Sequence, residues 1–378
     1  MNHLEVSIII VSYNGKNHLK KLLPSIYEQT IPNKNFEVIL VDNGSKDDTL
    51  TFVSKNFKDV RLIPLSRNFG FATANTEGIK AGLAKYIALV NNDCIVKKDW
   101  LENFLNSKEE GTVLSGKILN WDGDKIDFID GILTFDGHAF QLYQGFPLKN
   151  FTDEREKYLP FPCAGNCFFE KDLYIKTGGF DADFFAYLED VDWGRRLWLS
   201  GFKVKYLPKA TVYHKGSETG KNLGIFKRAY LFERNAFLVF YKNIEEKLLY
   251  EFFPSVLLTF QHRLYFLLKE DSGFSTIQMD PYKNFVKREK IKSNSAHIIN
   301  HLRAFFSLEE NLYGLHKKRQ EVQKMRVFSD YEYFKNFPLY IVPTYLGDEI
   351  LFSNPLFLNT LPKSIPLVKK ELKDIICL

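Results

Sequence analysis

The chain has 378 residues, of which 45% are hydrophobic and 26% are charged, as is typical of a folded globular protein. Its 51 basic and 46 acidic residues give a formal net charge of +5, which is too small to indicate a nucleic-acid-binding surface. This length allows one large hydrophobic core and a second, smaller domain.

Strands and helices alternate over the N-terminal part of the chain. The apolar, β-branched runs that predict buried strands are Val6–Ser12, Val38–Val41, Val60–Leu65 and Tyr86–Val90. The helices predicted between them cover Leu19–Tyr27, Asp48–Asn56 and Gly70–Ala84. This alternation predicts an α/β fold with a mostly parallel sheet flanked by helices. Because ligands of such sheets lie beyond the carboxyl ends of the strands, we expect Tyr13, Asp42 and Asp93 to meet at one crevice.

The pattern then becomes less regular. Residues 111–160 are rich in Gly and Asp and contain only short strand-like runs, which we interpret as the irregular acceptor side of a site. Alternation resumes with a strand at Asn166–Phe169, an amphipathic helix that begins near Leu188, and a strand-like run at Lys203–Leu207.

The C-terminal part of the chain is predicted to be mainly helical. After Ser217 strand patterns largely stop, and residues 224–270 and 294–326 have helical periodicity. We therefore predict a catalytic domain over residues 1–220 and a helical domain over residues 221–378 that serves acceptor, membrane-surface or oligomer contacts.

Two acidic stretches suggest metal binding and proton removal. Asn91-Asn92-Asp93 ends a predicted strand, and Leu188–Trp193 carries three acids within four positions. Mg²⁺ and Mn²⁺ prefer oxygen ligands and often use one or two carboxylates together with substrate phosphates. Two adjacent carboxylates repel each other, so the pKa of one of them can rise as a general base requires. The alternatives are a helix cap for Asp93 and ordinary N-terminal helix charge for the second stretch.

Two further polar positions have both a structural and a functional interpretation. Asp42-Asn43-Gly44-Ser45 is either a simple turn or a hydrogen-bonding site for a base or ribose. His214 ends a strand-like run and is either structural or a further cation ligand. Neither G-x-x-x-x-G-K-[ST] nor G-x-G-x-x-G follows the first strand, which argues against P-loop and dinucleotide-binding enzymes.

Taken in order, these motifs resemble the family 2 glycosyltransferases. The series is Ser7–Gly15, Asp42–Ser45, Arg67–Ala72, Asn91–Asp93, Gly178–Asp181, Glu189–Trp193 and His214. The resemblance covers residues 5–217 and is closest to non-processive members that act like rhamnosyl- or galactofuranosyltransferases of surface-polysaccharide assembly. It implies the GT-A fold. The Q-x-x-R-W signature of processive members is absent, because Trp193 is followed by Gly-Arg-Arg-Leu-Trp.

The resemblance also implies a reaction, a cofactor and residue roles. The reaction is an inverting transfer of a sugar from a nucleoside-diphosphate sugar to a hydroxyl of a glycan or lipid-linked acceptor, with Mg²⁺ or Mn²⁺ as cofactor. Asp190 corresponds to the catalytic base with Glu189 as its neighbour, and Asp93 and His214 correspond to the metal ligands. Asn91 stands where the family's metal motif has its first acid. The implied donor-binding residues are Ser12, Tyr13, Asn14, Asp42, Arg67, Asn68, Asn92 and Asp93.

Two other functions are considered. A sugar nucleotidyltransferase shares an α/β nucleotide pocket and an acidic metal site, but would carry an early Gly-rich basic loop, and Ser12–Lys16 has only one Gly and one Lys. The other is a nucleotide-sugar-binding module without catalysis, against which the intact acidic residues and His214 argue. Release of nucleoside diphosphate from a panel of donors distinguishes these from a transferase.

The C-terminal helices include an apolar face. Its residues are Phe253, Leu257, Phe260, Leu264, Leu267 and Leu268. We expect this face to pack against the catalytic domain or a second subunit, as in a homo-oligomer. The alternative is an interfacial helix that, with the basic run Lys317–Arg319, brings the enzyme to a membrane surface.

The cysteines and the N-terminus predict a cytoplasmic location. The four cysteines are Cys94, Cys163, Cys167 and Cys377. They form no CxxC pair and no paired zinc motif, so we expect reduced thiols. Met1–Glu5 leads into a strand without a basic and apolar leader. The longest apolar segment, near residues 252–262, is shorter than the about 20 residues of a spanning helix, so any membrane contact is expected to be peripheral, at the inner face.

Overall fold

The computed structural model describes residues 4–152, 155–216, 223–268, 273–275, 290–292, 295–345 and 347–376. The chain divides into two compact units. The first comprises residues 1–130, 146–197 and 202–218, and the second comprises residues 131–145, 198–201 and 219–378. The two short segments of the second unit, 131–145 and 198–201, lie within the range predicted for the catalytic domain.

The described elements are numbered in chain order. The strands are β1 (Val6–Ser12), β2 (Phe36–Asp42), β3 (Val60–Pro64), β4 (Tyr86–Val90), β5 (Cys94–Val96), β6 (Thr112–Asn120), β7 (Ile126–Phe128), β8 (Gly131–Thr134), β9 (Ala139–Gln141), β10 (Lys157–Tyr158), β11 (Asn166–Glu170), β12 (Lys203–His214), β13 (Gly273–Ser275), β14 (Lys290–Lys292), β15 (Leu339–Ile341) and β16 (Leu367–Lys369). The helices are α1 (Lys16–Tyr27), α2 (Thr49–Asn56), α3 (Phe71–Ala81), α4 (Trp100–Asn106), α5 (Lys171–Lys176), α6 (Glu189–Leu199), α7 (Ile225–Asn243), α8 (Glu246–Leu268), α9 (Ser295–Glu310), α10 (Leu312–Lys324), α11 (Asp330–Asn336), α12 (Asp348–Phe352) and α13 (Pro355–Leu358).

The first unit is built on a ten-stranded sheet in the order β10-β12-β6-β11-β4-β1-β2-β3, with β5 paired to β12 and β7 paired to β6. β1 is parallel to β2 and β4, β2 is parallel to β3, and β6 is parallel to β12. β11 is antiparallel to its neighbours β4 and β6. Helices pack on this sheet, including α3 on β1 and β2, and α4 on β12. The prediction of an α/β fold with a mostly parallel sheet flanked by helices is confirmed.

The centre of this sheet is buried on both faces. Ile8, Ile9 and Ile10 of β1 are fully buried, which explains why the strand is continuously apolar rather than alternating. α3 lies close to β1 because Gly78 has no side chain; a Cβ there would come within 2.4 Å of the Ile9 Cγ2 atom. The apolar runs that predict the strands are therefore the core of the first unit.

The prediction of irregular structure over residues 111–160 is wrong at its start. Nine of these residues form β6, which is buried along most of its length. The apolar run of β6 is interrupted by Ser115-Gly116-Lys117, a composition typical of loops. In the fold, Gly116 allows close approach of Asn166, whose Nδ2 donates to the carbonyls of Lys117 and Ala210, both at 3.0 Å.

The second unit combines α7–α13 with short strands. β16, β15, β8 and β9 form a four-stranded sheet, and β13 pairs with β14. Arg263 is buried and donates to the carboxylates of Asp136 at 2.8 Å and Asp348 at 2.9 Å. Of the predicted apolar face on α8, Phe253 and Leu268 are exposed. In the part of the chain that the structure covers, we find no helix with the length and apolarity to span a bilayer.

Candidate active site

The loops that follow β1 and β2 are joined at the carboxyl edge of the sheet. Ser12 and Asp42 are register partners at the strand ends, and the Asn43 N–H donates to the Ser12 carbonyl at 2.7 Å. Asn14 has a positive φ of 52°, and its N–H donates to Ser45 Oγ at 2.8 Å. Tyr13 is half-buried in the same loop. The predicted donor-binding residues of these two loops therefore lie together.

The two carboxylate oxygens of Asp42 differ, because one is hydrogen-bonded to the protein and the other is not. Its Oδ2 accepts from the Ser45 N–H at 3.0 Å. Its Oδ1 is buried and has no hydrogen-bond partner among the described residues. A buried carboxylate oxygen without a partner costs free energy, so this atom is suited to accept a hydrogen bond from a bound ligand.

The loop of Arg67 and Asn68 is fastened to the end of β2. Asn43 bridges the two segments, because its Nδ2 donates to Asn68 Oδ1 at 3.1 Å and its Oδ1 accepts from the Phe69 N–H at 2.9 Å. Asn68 Oδ1 also accepts from the Gly70 N–H at 2.9 Å, so its side chain shapes the loop. The exposed Arg67 guanidinium lies 4.8 Å from the Phe69 ring centre and has no acidic partner in the described ranges. Its charge is therefore available to an anion.

The buried Asp93 pairs with the half-buried His214. The register of β12 and β5 places His214 opposite Cys94, and Asp93 Oδ1 lies 3.2 Å from His214 Nε2. The ligand atoms of Asp93, Cys94 and His214 lie within 4.8 Å of one another. Burial raises the pKa of the Cys94 thiol well above its usual range, so Cys94 is a poor ligand. The carboxylate and imidazole fit Mg²⁺ or Mn²⁺, provided that substrate phosphates supply further oxygen ligands.

Asp127 holds the other side of the His214 ring, and the sequence reasoning missed it. Asp127 Oδ2 lies 2.5 Å from His214 Nδ1. β6 and β7 pair Ile118 with Phe128 and Leu119 with Ile126, so Asp127 is the extra residue of a β-bulge. Bulges of this kind turn side chains toward sites at sheet edges.

The surroundings shift the pKa values of His214 and Asp93. Burial would lower the pKa of His214, but the carboxylates of Asp93 and Asp127 raise it well above its usual range. Burial raises the pKa of Asp93, yet His214 and, more weakly, His18 bring it below its usual value. The cluster therefore keeps Asp93 ionised.

Asp190 and Glu189 lie at the start of α6. The Asp190 carboxylate accepts from the Ala164 N–H at 3.1 Å and from the Val191 N–H at 2.9 Å. Burial raises the pKa of Asp190 to about 6, although these N–H groups oppose the shift. Burial and the Asp190 charge raise the pKa of Glu189 well above its usual range, and its Oε2 has no hydrogen-bond partner among the described residues. These shifts favour the protonated form of Glu189, whereas Asp190 ionises above about pH 6.

The backbone before α6 is strained. Phe185 has φ 61° and ψ −61°, and the Ala186 N–H donates to the Phe184 carbonyl at 2.6 Å, which together define a γ-turn of the rare, strained hand. Tyr187 and Leu188 also have positive φ values, 73° and 63°. Left-handed conformations of non-glycine residues cost free energy and persist only where the surrounding structure stabilises them. They are concentrated at functional sites.

The loop Cys163-Ala164-Gly165 connects Asp190 with the strand end that carries Asp93. The Ala164 N–H contacts Asp190, and the Gly165 carbonyl accepts from the Asn91 N–H at 3.2 Å. Asn92, between Asn91 and Asp93, donates from Nδ2 to Ser12 Oγ at 3.2 Å. Burial raises the pKa of Cys163, and the charges of Asp190 and Asp127 raise it further. The Cys163 thiol is therefore close enough to Asp190 and to Asp127 for both carboxylates to raise its pKa.

Comparison with known protein families gives a match over the part of the chain that contains most of these site residues. Residues 7–178 match the sequence profile of Glycosyl transferase family 2. This region belongs to that family. The predicted resemblance to family 2 glycosyltransferases is confirmed. We call residues 7–178 the family 2 region.

The relatives differ in how much of their length is matched. An uncharacterized glycosyltransferase of Rickettsia conorii is 34% identical over 155 residues, which are 39% of this chain and 25% of the relative. The chain therefore spans about a quarter of that relative's length. The N-acetylglucosaminyl-diphospho-decaprenol L-rhamnosyltransferase of Mycobacterium tuberculosis is 27% identical over 241 residues, covering 57% of this chain and 78% of the relative.

Two solved structures align with part of the chain at TM-scores below 0.5. GalNAc-T7 with UDP, GalNAc and Mn²⁺ aligns with a TM-score of 0.48 and 17% identity, covering 56% of this chain and 43% of that one. Residues 1–349 of S. aureus TarS align with a TM-score of 0.46 and 16% identity, covering 84% of this chain and 88% of that one.

The end of the family 2 region and α6 hold each other in place. Trp193 packs against Phe169, Tyr174 and Phe180, with ring centres 4.9–5.4 Å away, and its Nε1 donates to Thr177 Oγ1 at 2.8 Å. This aromatic cluster fixes the helix that begins with Glu189 and Asp190.

Arg196 and Asp192 have structural roles. Arg196 Nη2 donates to Asp192 at 2.8 Å and to the Gly179 carbonyl at 2.5 Å, and Arg196 also donates to the Thr177 carbonyl. The Gly178–Asp181 motif therefore provides a backbone carbonyl that accepts from Arg196 of α6. The Asp192 carboxylate is already paired with Arg196.

Proposed function

We propose that this protein is an inverting glycosyltransferase that moves a sugar from a nucleoside-diphosphate donor to a hydroxyl acceptor. The observation that carries the proposal is the arrangement of two acidic groups, one buried and one half-buried, around the loop 163–165. One is Asp93 paired with His214, and the other is Asp190 with a pKa of about 6. This arrangement provides one group for the phosphates and one for the attacking alcohol.

The donor would lie along the loops after β1 and β2. Asp42 Oδ1, a buried acceptor, would receive a hydrogen bond from an N–H of the base. Ser12, Tyr13, Asn14 and Asn92 would line the adjacent nucleotide pocket. Arg67 would reach the diphosphate, because exposed guanidinium groups form charge-assisted hydrogen bonds with phosphate oxygens. Asn68 would act indirectly by holding the Arg67 loop.

Mg²⁺ or Mn²⁺ would be held by Asp93 and His214. When bound, such an ion neutralises negative charge on the departing diphosphate. Asp127 would accept a hydrogen bond from His214 Nδ1–H, so that Nε2, which faces Asp93, is the nitrogen that would release its proton to bind the ion. Carboxylate–histidine pairs behind a metal ligand fix the ring tautomer and orientation in this way.

Asp190 would be the general base. The acceptor oxygen attacks the anomeric carbon, the bond from that carbon to the diphosphate breaks, and the acceptor proton passes to Asp190. A pKa of about 6 keeps Asp190 ionised at neutral pH and makes it more basic than an exposed aspartate. Protonated Glu189 avoids a second negative charge beside the base. General-base assistance of this kind contributes about a hundred- to ten-thousand-fold.

The acceptor and the cellular setting are part of the same proposal. We propose a glycan or lipid-linked glycan of surface-polysaccharide assembly as acceptor, because the Mycobacterium tuberculosis relative is named for a decaprenol-linked acceptor. The first unit would carry catalysis, and the second would serve acceptor, membrane-surface or oligomer contacts. A cytoplasmic location, with peripheral contact at the inner membrane face, is supported by the unbridged thiols of Cys94, Cys163 and Cys167.

The test is a donor screen followed by a single substitution. UDP-, dTDP- and GDP-sugars are screened with Mn²⁺ for protection against thermal unfolding, and the best donor is assayed for nucleoside-diphosphate release. Asp190→Asn should lose at least about a hundredfold in transfer rate while the calorimetric Kd for the nucleoside diphosphate stays within twofold. Asp172→Asn, at an exposed position in α5, is the matched control. Transfer by Asp190→Asn at the rate of the control would remove Asp190 from this role.

A further inference from the structure

The second unit contains a cavity of about 370 Å³ among α7, α8, α9 and α10. Its wall is mostly apolar and aromatic. Residues that define it are Phe237 and Phe240 of α7, Leu249, Val256 and Leu257 of α8, and Phe305 of α9. The volume lies within the range of about 300–1,000 Å³ that small-molecule sites occupy.

Of the polar lining residues, Arg319, Tyr241 and His316 are hydrogen-bonded to the protein, whereas Glu246 and Tyr250 are exposed to solvent. Arg319 donates to the Ile244 carbonyl at 2.7 Å and also to the Tyr241 carbonyl. The Tyr241 hydroxyl pairs with His316 Nδ1 at 3.2 Å, and Gln320 pairs with His316 Nε2 at 3.2 Å. A polar ligand would have to break these hydrogen bonds or leave its own groups unpaired, which is costly. The cavity therefore selects an apolar group.

The cavity volume corresponds to one hydrocarbon chain. A protein cavity of about 150 Å³ lined by apolar side chains binds benzene, which has six carbon atoms. The present cavity of about 370 Å³ is two to three times larger. On that scale it accommodates about fifteen carbon atoms, which is a single chain segment rather than the two chains of a phospholipid.

The surroundings of the cavity are those of an amphiphile-binding site. Two lining residues, Tyr250 and Phe253, are 69% and 56% exposed although both are aromatic. The exposed Lys247 and Lys317 follow directly after the lining residues Glu246 and His316. Exposed aromatic rings beside lysines are typical of surfaces that contact both an apolar chain and an anionic head group.

We propose that this cavity binds the hydrocarbon chain of a single-chain lipid phosphate, with the anionic head group beside the lysines. The binding itself requires no transfer activity. Only the further role of such a lipid, as the carrier of the sugar acceptor, rests on the proposed function.

The test compares chain length at constant head group. Isothermal titration calorimetry on the full chain uses farnesyl phosphate with 15 carbons, geranyl phosphate with 10 carbons and inorganic phosphate, each below its aggregation concentration. Because each buried methylene strengthens binding by about fourfold, farnesyl phosphate should bind one-to-one and at least about tenfold more tightly than geranyl phosphate. Inorganic phosphate should give no saturable heat. Equal affinity for the two prenyl phosphates would overturn the proposal.

A matched pair of substitutions on α8 locates the binding. Leu257→Trp fills the cavity, whereas Leu258→Trp changes a neighbouring residue that is 40% exposed and does not line it. Leu257→Trp should weaken farnesyl phosphate binding at least about tenfold, and Leu258→Trp should not. If Leu257→Trp does not fold, Leu308→Trp on α9 replaces it. Binding unaffected by the cavity-filling variant, or seen only with phospholipid vesicles, would refute the site.

This experiment is separable from the test of the proposed function. Loss of lipid binding in Leu257→Trp with unchanged nucleoside-diphosphate affinity supports the cavity whether or not transfer occurs. Failure of sugar transfer by the wild-type chain, with lipid binding intact, would remove the proposed function and leave the lipid site.

Discussion

Replacing Asp127 with Asn keeps the size of the side chain and removes its negative charge. In the structure, Asp127 Oδ2 is 2.5 Å from His214 Nδ1, and Asp93 Oδ1 is 3.2 Å from His214 Nε2. Asn can still accept from Nδ1, but a hydrogen bond to a charged group contributes about 1.5–3 kcal/mol and a neutral one about 0.5–1.5 kcal/mol. The midpoints of these ranges differ by about 1.3 kcal/mol, close to the 1.4 kcal/mol that corresponds to a tenfold weakening of Mn²⁺ binding.

The assay is a Mn²⁺ titration that does not depend on catalysis. Free Mn²⁺ is measured by electron paramagnetic resonance in the presence of saturating nucleoside diphosphate, for wild type, Asp127→Asn and the exposed control Asp122→Asn. We expect the control to match the wild type and Asp127→Asn to bind about tenfold more weakly. Equal Mn²⁺ affinity in all three proteins would mean that Asp127 does not orient His214 as a metal ligand.

Three further predictions concern pH dependence and stability. Because burial raises the pKa of Asp190 to about 6, the base is protonated below that pH, so kcat/KM should fall about tenfold per pH unit under pH 6 and level off above it; a profile flat down to pH 5 would contradict this. Gly78→Ala should lower the free energy of unfolding by about 1–3 kcal/mol in urea titrations, because its Cβ would approach Ile9 Cγ2 to 2.4 Å. Arg263→Met removes the cation that the buried carboxylates of Asp136 and Asp348 share, and leaves Asp348 with only the N–H groups of Thr344 and Tyr345 as donors, so it should cost about 3–5 kcal/mol. Arg303→Met, on an exposed side chain, should change stability by less than about 0.5 kcal/mol.

The parts of the site that sequence reasoning found are local to strand and helix ends. β1, β2 and β4 are buried apolar runs, so their periodicity predicts both the strands and the loops that follow them. Ser12 and Asp42 are the last residues of β1 and β2, and Asp93 follows the end of β4 by three residues. The acidic start of α6 is equally local, because three acids precede a clear amphipathic helix.

The parts that were missed depend on pairing between distant segments. Asp127 lies in a stretch with several other aspartates, and nothing in its neighbours distinguishes it from Asp122 or Asp124. It approaches His214 only because β6 pairs with both β7 and β12. β6 itself was missed because Gly116 and Lys117 interrupt its apolar run, and their burial depends on the side chain of Asn166. No local pattern contains this information.

The strained turn before α6 gives a physical reason to treat Asp190 and the strand ends near Asp93 as parts of one site. A γ-turn at Phe185 and left-handed residues at Tyr187 and Leu188 cost about 1–3 kcal/mol each and persist only if surrounding contacts stabilise them. The Phe185 carbonyl accepts from the N–H groups of Phe71 at 2.5 Å and Ala72 at 3.2 Å, which begin α3. The loop before α3 is in turn fastened to the end of β2 by Asn43. The position of Asp190 is therefore coupled through hydrogen bonds to the same strand ends that carry the proposed donor-binding residues, so strain in the turn would be the cost of placing the proposed base beside the donor.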